Sequence, residues 1–269
     1  MLELSHLCVT FGKDTVNEFH ALRDLSLSVP EGDFISIVGS NGAGKSTLFN
    51  AICGTVPIES GQVILEGEDI TKQEDHKRSR KIGRLFQDPM KGTAPNMTIE
   101  ENLALAYARG TRSALSRAVR KKDQALFRDA LAGFGMGLEN RMKTKVGLLS
   151  GGQRQAMTLL MATIARPRLL LLDEHTAALD PATAKTVMEI TVRVIAEQRL
   201  TALMITHNIQ SALTTGNRTL MMNQGQVLLD IQGQERDSMT IDRLLSLYSA
   251  KSGEQFAADR ALFATVERP

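Results

Sequence analysis

Hydrophobic positions along the chain fall into short alternating runs, helical stripes and one continuous block. Residues 2–38 read as several short strands. Leu25–Val29 alternates and stops at Pro30, Glu31-Gly32-Asp33 makes a turn, and Phe34–Val38 is a buried strand running into glycines. Lys45–Cys53 has no breaker and predicts a helix, while Gln62–Leu65 and Ile82–Phe86 predict strands. The texture changes after Gln87. Residues 88–97 form a loop with Pro89 and Pro95, and Thr98 with Glu101 makes a capping box ahead of Ile99, Leu103 and Ala106 on one helical face. A second helix is predicted over Ser113–Leu131, ended by Gly133, Gly135 and Gly137, and a third from Gly151 to Ala165. About residues 90–165 are therefore helical, set within an otherwise mixed chain.

Leu169–Leu172 is four leucines in a row ending in Asp173, the pattern of a strand buried on both faces of a parallel sheet. Asp180-Pro181 starts a helix whose apolar face is Ala184, Val187, Met188, Thr191, Val194 and Ile195. Thr201–Thr206 is the next strand, and Arg218–Met222 with Gln226–Asp230 reads as a hairpin about Asn223-Gln224-Gly225. The tail, 231–269, carries Leu244, Leu245, Leu247 and Tyr248 and a second capping-box pattern at Ser252-Gly253-Glu254-Gln255. It predicts one or two short helices that pack on the body or on a partner subunit, too short for a separate ligand-binding domain. The fold class is α/β.

Charge narrows the partners. Lys+Arg 32 against Asp+Glu 30 leaves +2, so whole-chain charge gives no reason to expect nucleic acid as a partner. Apolar residues at 42% and charged residues at 23% fit a soluble globular class. No apolar run reaches the roughly 18 residues a membrane span needs, and the N-terminal stretch does not read as a secretory signal. Cys8 and Cys53 lie in apolar contexts and predict buried, reduced thiols.

The chemistry begins at Gly39-Ser40-Asn41-Gly42-Ala43-Gly44-Lys45-Ser46-Thr47, which matches G-x-x-x-x-G-K-[ST] between a strand and a helix. Glycines let successive N–H groups point inward as an anion nest, and the helix start adds partial positive charge. Lys45 is placed to reach β- and γ-phosphates, and the Ser46 hydroxyl to ligate Mg²⁺. Asp173-Glu174 puts carboxylates at the C-terminal tip of a buried strand, where ligands sit in open α/β sheets. Asp173 suits the Mg²⁺ shell and Glu174 the polarisation of an attacking water.

Leu149-Ser150-Gly151-Gly152-Gln153 resembles the LSGGQ signature of ATP-binding-cassette ATPases, in full. Gln87 resembles that family's Q-loop glutamine, Ala178-Leu179-Asp180 its D-loop, and His207 its switch histidine. Phe11 sits where the family places an adenine-stacking aromatic. On their own, Gln87 also reads as a polar loop residue, His207 as a surface or capping residue, and Phe11 as a core or edge aromatic. The resemblance covers about residues 1–230. It implies a P-loop NTPase fold: a RecA-like parallel-sheet core, an N-terminal antiparallel β subdomain, and the inserted helical subdomain near 90–165. It implies ATP as ligand, and a head-to-tail homodimer in which the Lys45 cradle of one copy and the signature of another clamp the same ATP. One departure stands out: His175 follows Glu174 where the family usually has proline, and reads as a neutral structural variant.

Cassette ATPases mostly drive transporters. One cassette without a span implies separate permease subunits, with the protein peripheral on the cytoplasmic face of the membrane. The loop Gln87–Thr98 and the helix after it lie where the family meets the permease. The segments 86–95 and 173–180 resemble a subgroup associated with uptake of amino-acid-like solutes, which brings in a substrate-binding protein. The basic residues Arg109, Arg112, Arg117, Arg120, Lys121, Lys122, Arg128, Arg141, Lys143 and Lys145 are a solvated surface or a face held near anionic headgroups. A soluble cassette ATPase, such as a subunit of iron–sulfur cluster assembly, is the alternative. A coiled-coil repair type does not fit the roughly 100 residues between cradle and signature.

Overall fold

The structure is a computed structural model and describes residues 1–109 and 121–252. In chain order its elements are β1 (Leu2–Phe11), β2 (Phe19–Val29), β3 (Phe34–Gly39), α1 (Lys45–Cys53), β4 (Ser60–Leu65), β5 (Glu68–Asp69), α2 (Asp75–Arg78), β6 (Ile82–Leu85), α3 (Ile99–Ala108), α4 (Lys121–Ala132) and α5 (Gly151–Thr163). They continue with β7 (Leu169–Asp173), α6 (Pro181–Gln198), β8 (Thr201–Ile205), α7 (Ile209–Thr214), β9 (Arg218–Asn223), β10 (Gln226–Gln232), α8 (Gly233–Asp237) and α9 (Ile241–Ser252). The chain divides into two compact units, one of Met1–Arg78 with the segment from Thr201 onward, the other of Ser79–Leu200.

In the first unit, β2, β1, β4 and β5 form an antiparallel sheet in that order. The N-terminal region is thus two long strands and not several short ones. The reason is local. Its alternation is broken by register shifts in the β1–β2 ladder, beside His6 and Asp24 at φ 53° and 52°. Such bulges flip the inside–outside pattern without ending the strand. A second set of strands has β3 at its centre, parallel to both β8 and β9. Every residue of β8 is buried, as are Phe34–Val38, which is why these runs are continuous rather than alternating. The β9–β10 hairpin turns on Gln224-Gly225 alone, both at positive φ (46° and 80°) as a type I′ turn requires, and Asn223 stays in the strand.

The helix behind the phosphate loop is fixed at its far end by Arg78. This buried guanidinium donates to Ala51 O and Ile52 O at 2.9 Å, and to Gln73 O and Thr71 O at 2.8 Å. It thereby satisfies the last carbonyls of α1, where a cation also suits the helix dipole. Arg78→Met removes all four of these bonds at once, leaving Ala51 O only its contact with Gly54 N–H, and should cost about 3 kcal/mol or more. Urea unfolding checks this, and an unchanged midpoint contradicts it.

The described part of the tail, as far as Ser252, packs on its own unit. Leu244 and Tyr248 are buried with Val38, Ile209, Met221 and Ile231, and Leu245 and Leu247 pack at the edge of that cluster. The capping-box pattern at Ser252-Gly253-Glu254-Gln255 extends outside the described residues. Cys8 and Cys53 are in no disulfide and are half-buried, a correction to the expectation of full burial. Each belongs to an apolar element yet sits at its margin: Cys53 is the last residue of α1, and Cys8 lies beside the bulged part of β1.

In the second unit β6 and β7 are parallel, from Ile82↔Leu169 to Leu85↔Leu172, and all four leucines of β7 are fully buried. In its described part the segment 90–165 holds three α-helices joined by loops and short 3₁₀ turns, with an isolated bridge between Thr98 and Lys145. Its core gathers Ile99, Leu103, Phe127, Leu131, Met157 and Leu160. The Thr98–Glu101 capping box forms as expected. Of the helix expected over Ser113–Leu131, the part before residue 121 lies outside the described residues, as do Arg112, Arg117 and Arg120. On α6 the buried face holds Val187, Thr191, Val194 and Ile195 with Ile190 added, while Ala184 and Met188 are only half-buried.

Candidate functional site

The first unit holds the phosphate cradle. The loop from Gly39 to Gly44 closes on Ala43 N–H donating to Ser40 O at 3.1 Å. Gly44 precedes α1 at φ 95°, and a Cβ there would stand 2.6 Å from Ala21 O, so only glycine fits. No side chain caps this helix start and its first turn holds no acid. Its N–H groups therefore keep their positive end for a ligand. Lys45 is buried, and its Nζ donates to Gly39 O at 2.7 Å and Ser40 O at 2.9 Å, which lays the ammonium along the loop. Ser46, Asn41 and Gly42 are exposed, Ser40 and Thr47 half-buried, and Ala43 buried. This donor set fits the oxygens of a polyphosphate.

His207 leaves β8 from the same edge as the cradle. Ile37 and Ile205 are paired in the parallel ladder, and Thr206 N–H continues it to Ile37 O at 3.1 Å. His207 is exposed there, just before Asn208 caps α7. Phe11 ends β1 opposite Phe19 and is 42% exposed, which removes the core reading and leaves an edge ring open for stacking.

The second unit holds the carboxylates and the signature. The β6–β7 register sends Gln87, two residues past the end of β6, and Asp173, the last residue of β7, out of the same edge. Gln87 is exposed, and Asp173 and Glu174 are half-buried. Glu174 has φ 45°, and its carbonyl accepts from Ala177 N–H at 3.0 Å, so a left-handed residue turns the chain at the strand tip. Among the described residues no group of three or more His, Cys, Asp or Glu side chains could hold a metal by itself. The Asp173 carboxylate at the strand tip fits Mg²⁺, which takes one or two carboxylates and leaves other positions to water and phosphate. Ser150 caps α5, accepting from Gln153 N–H at 3.3 Å, while Gln153 Oε1 accepts from Ser150 N–H at 3.3 Å and from Arg141 Nη1 at 3.3 Å. Gly151 is exposed and Gly152 buried, where a Cβ would strike Thr183.

His175 is buried, with Nε2 3.2 Å from Thr191 Oγ1. The Thr191 hydroxyl already donates to Val187 O at 2.8 Å, so the ring is the donor in this pair and is the Nε2–H tautomer. The loop after Glu174 is thus pinned to the middle of α6, as a structural variant would be. Burial pushes the imidazole pKa from 6.5 down to about 4. Between those values the unfolded chain binds a proton that the folded protein refuses, so stability falls as pH drops through the window. The loss is about 3 kcal/mol once both states are protonated. His175→Gln should flatten the pH dependence of the urea midpoint between pH 7 and 4.5, measured with a chelator. Parallel profiles for the two proteins contradict this.

Two partners are not legible in the sequence. Thr191 reads there only as part of an apolar face, and Arg84 only as a member of the strand Ile82–Phe86. A lone cation in an apolar strand was the signal available for the second. It pairs with Asp173, Nη2 to Oδ2 at 3.2 Å.

Known proteins resemble this arrangement. A family model described as ABC transporter matches residues 22–177. A tyrosine transport ATP-binding protein of Clostridioides difficile is 41% identical over 92% of this chain and 98% of its own length. A probable branched-chain amino acid transport ATP-binding protein, LivF of Archaeoglobus fulgidus, is 32% identical over 78% of this chain and 85% of its own. Among solved structures, the dimeric post-hydrolysis state of the ATP-binding cassette MJ0796, bound to ADP and Pi, superposes with a TM-score of 0.75 at 28% identity, covering 86% of this chain and 98% of that one.

Proposed function

Since this chain belongs to the ABC transporter family, and is an ATPase with that family's P-loop fold, we propose that it energises uptake of an amino-acid-like solute through a separate membrane permease. The observation that carries the reading is the tyrosine transport relative, which aligns over 98% of its own length. The branched-chain relative points the same way.

The residues have distinct roles in this reading. Lys45 and the loop 39–47 hold the phosphates of ATP, with Phe11 against the base. Ser46, Asp173 and Gln87 would hold Mg²⁺, which supplies positive charge at the phosphate oxygens. Glu174 accepts a proton from the attacking water, and His207 hydrogen-bonds at the γ-phosphate. The uncapped start of α1 and the start of α5 are two anion-seeking helix ends, and the proposal has them meet across a homodimer. Ser150, Gly151, Gly152 and Gln153 of a second copy then close the phosphate from the far side, as the MJ0796 dimer encourages. Closure moves the permease and hydrolysis resets it. No helix among the described residues is long and apolar enough to cross a membrane. The proposal places the protein peripherally on the cytoplasmic face, with a substrate-binding protein outside. Reconstitution with its co-purifying permease tests this. Labelled tyrosine or a branched-chain amino acid should accumulate in an ATP-dependent way, and ATP hydrolysis with efflux instead of uptake contradicts it.

A further inference from the structure

Arg84 stands among β6 residues whose neighbours Ile82, Gly83 and Leu85 are buried, and its own side chain is largely buried. Keeping a guanidinium in such a strand costs desolvation, so the position has to be explained by what it touches. Two of its contacts bear on the candidate site. Nη2 donates to Asp173 Oδ2 at 3.2 Å, and the guanidinium carbon lies 4.7 Å from the centre of the Phe86 ring, stacked as a cation on an aromatic face. Phe86 immediately precedes Gln87. One cation therefore bears directly on one residue proposed for the Mg²⁺ shell, and through its chain neighbour on another.

We propose that Arg84 is a positioning residue that makes divalent-metal binding depend on nucleotide. Asp173 and Glu174 are consecutive acids at one strand tip, and two such carboxylates together favour a hard divalent cation. Arg84 cancels one of those charges while holding Asp173 in place. The metal then gains enough only when phosphate oxygens complete its shell. This inference rests on Asp173 being a metal-shell residue. Arg84→Met keeps the length and the contact with Phe86 and removes the charge.

The test is Mn²⁺ binding to the purified chain without nucleotide, read by electron paramagnetic resonance of free Mn²⁺. Arg84→Met should bind Mn²⁺ at least tenfold more tightly than the unaltered protein, and Arg84→Lys should stay close to it. Adding Asp173→Asn to Arg84→Met should abolish the gain. An unchanged or weaker Mn²⁺ affinity in folded Arg84→Met overturns the role of Arg84, with Arg84→Gln as the equivalent variant should Arg84→Met not fold. A separate arm guards the premise. If Asp173→Asn alone leaves Mn²⁺ binding in the presence of ATP unchanged, it is the metal-shell assignment that fails.

Discussion

Glu174→Gln should bind ATP as tightly as the unaltered protein and hydrolyse it at least about 100-fold more slowly, the usual cost of losing a general base. The substitution keeps size and shape and removes only the capacity to take a proton. Glu174 sits one residue beyond the end of β7, whose four leucines are buried, in a left-handed turn that Gln adopts as readily. The backbone position is further fixed by the buried His175, which the substitution leaves alone. The loss should therefore appear in single-turnover hydrolysis and be absent from titration with a fluorescent ATP analogue. Normal turnover would remove Glu174 from the base role, and a matching loss of affinity would make it a binding residue instead.

Lys45→Ala should weaken ATP binding by roughly 100-fold. Charge-assisted hydrogen bonds to phosphate contribute about 1.5–3 kcal/mol. The ammonium is pre-positioned by its contacts to Gly39 O and Ser40 O, so little ordering is left to be done on binding. Thermal unfolding of the variant should show the fold intact, and calorimetric titration then reads the affinity. A dissociation constant within twofold of the original contradicts the cradle assignment.

The local features of this chain were legible in its sequence, and the non-local ones were not. Caps and strand tips depend on neighbours a few residues away, so Thr98–Glu101, Asp180–Thr183, the Lys45–Cys53 helix and the β7 leucines could be read directly. The length of β1 and β2 was hidden because bulges reset the alternation that periodicity depends on. Tertiary pairings carry no periodic signal at all. Arg84 meets Asp173 across 89 positions, and His175 meets Thr191 only because the chain turns at Glu174. Ser150 read as a helix cap from its own sequence, but Arg141 holding Gln153 could not be foreseen.

Two copies should close around ATP, and sedimentation equilibrium of the Glu174→Gln chain with ATP and Mg²⁺ reads this directly. The protein should be dimeric with nucleotide and monomeric without it. Adding Ser150→Arg, which sets a bulky cation at the exposed start of α5, should return it to monomer while ATP binding survives. A Glu174→Gln chain that stays monomeric at saturating ATP, or a dimer indifferent to Ser150→Arg, contradicts the account.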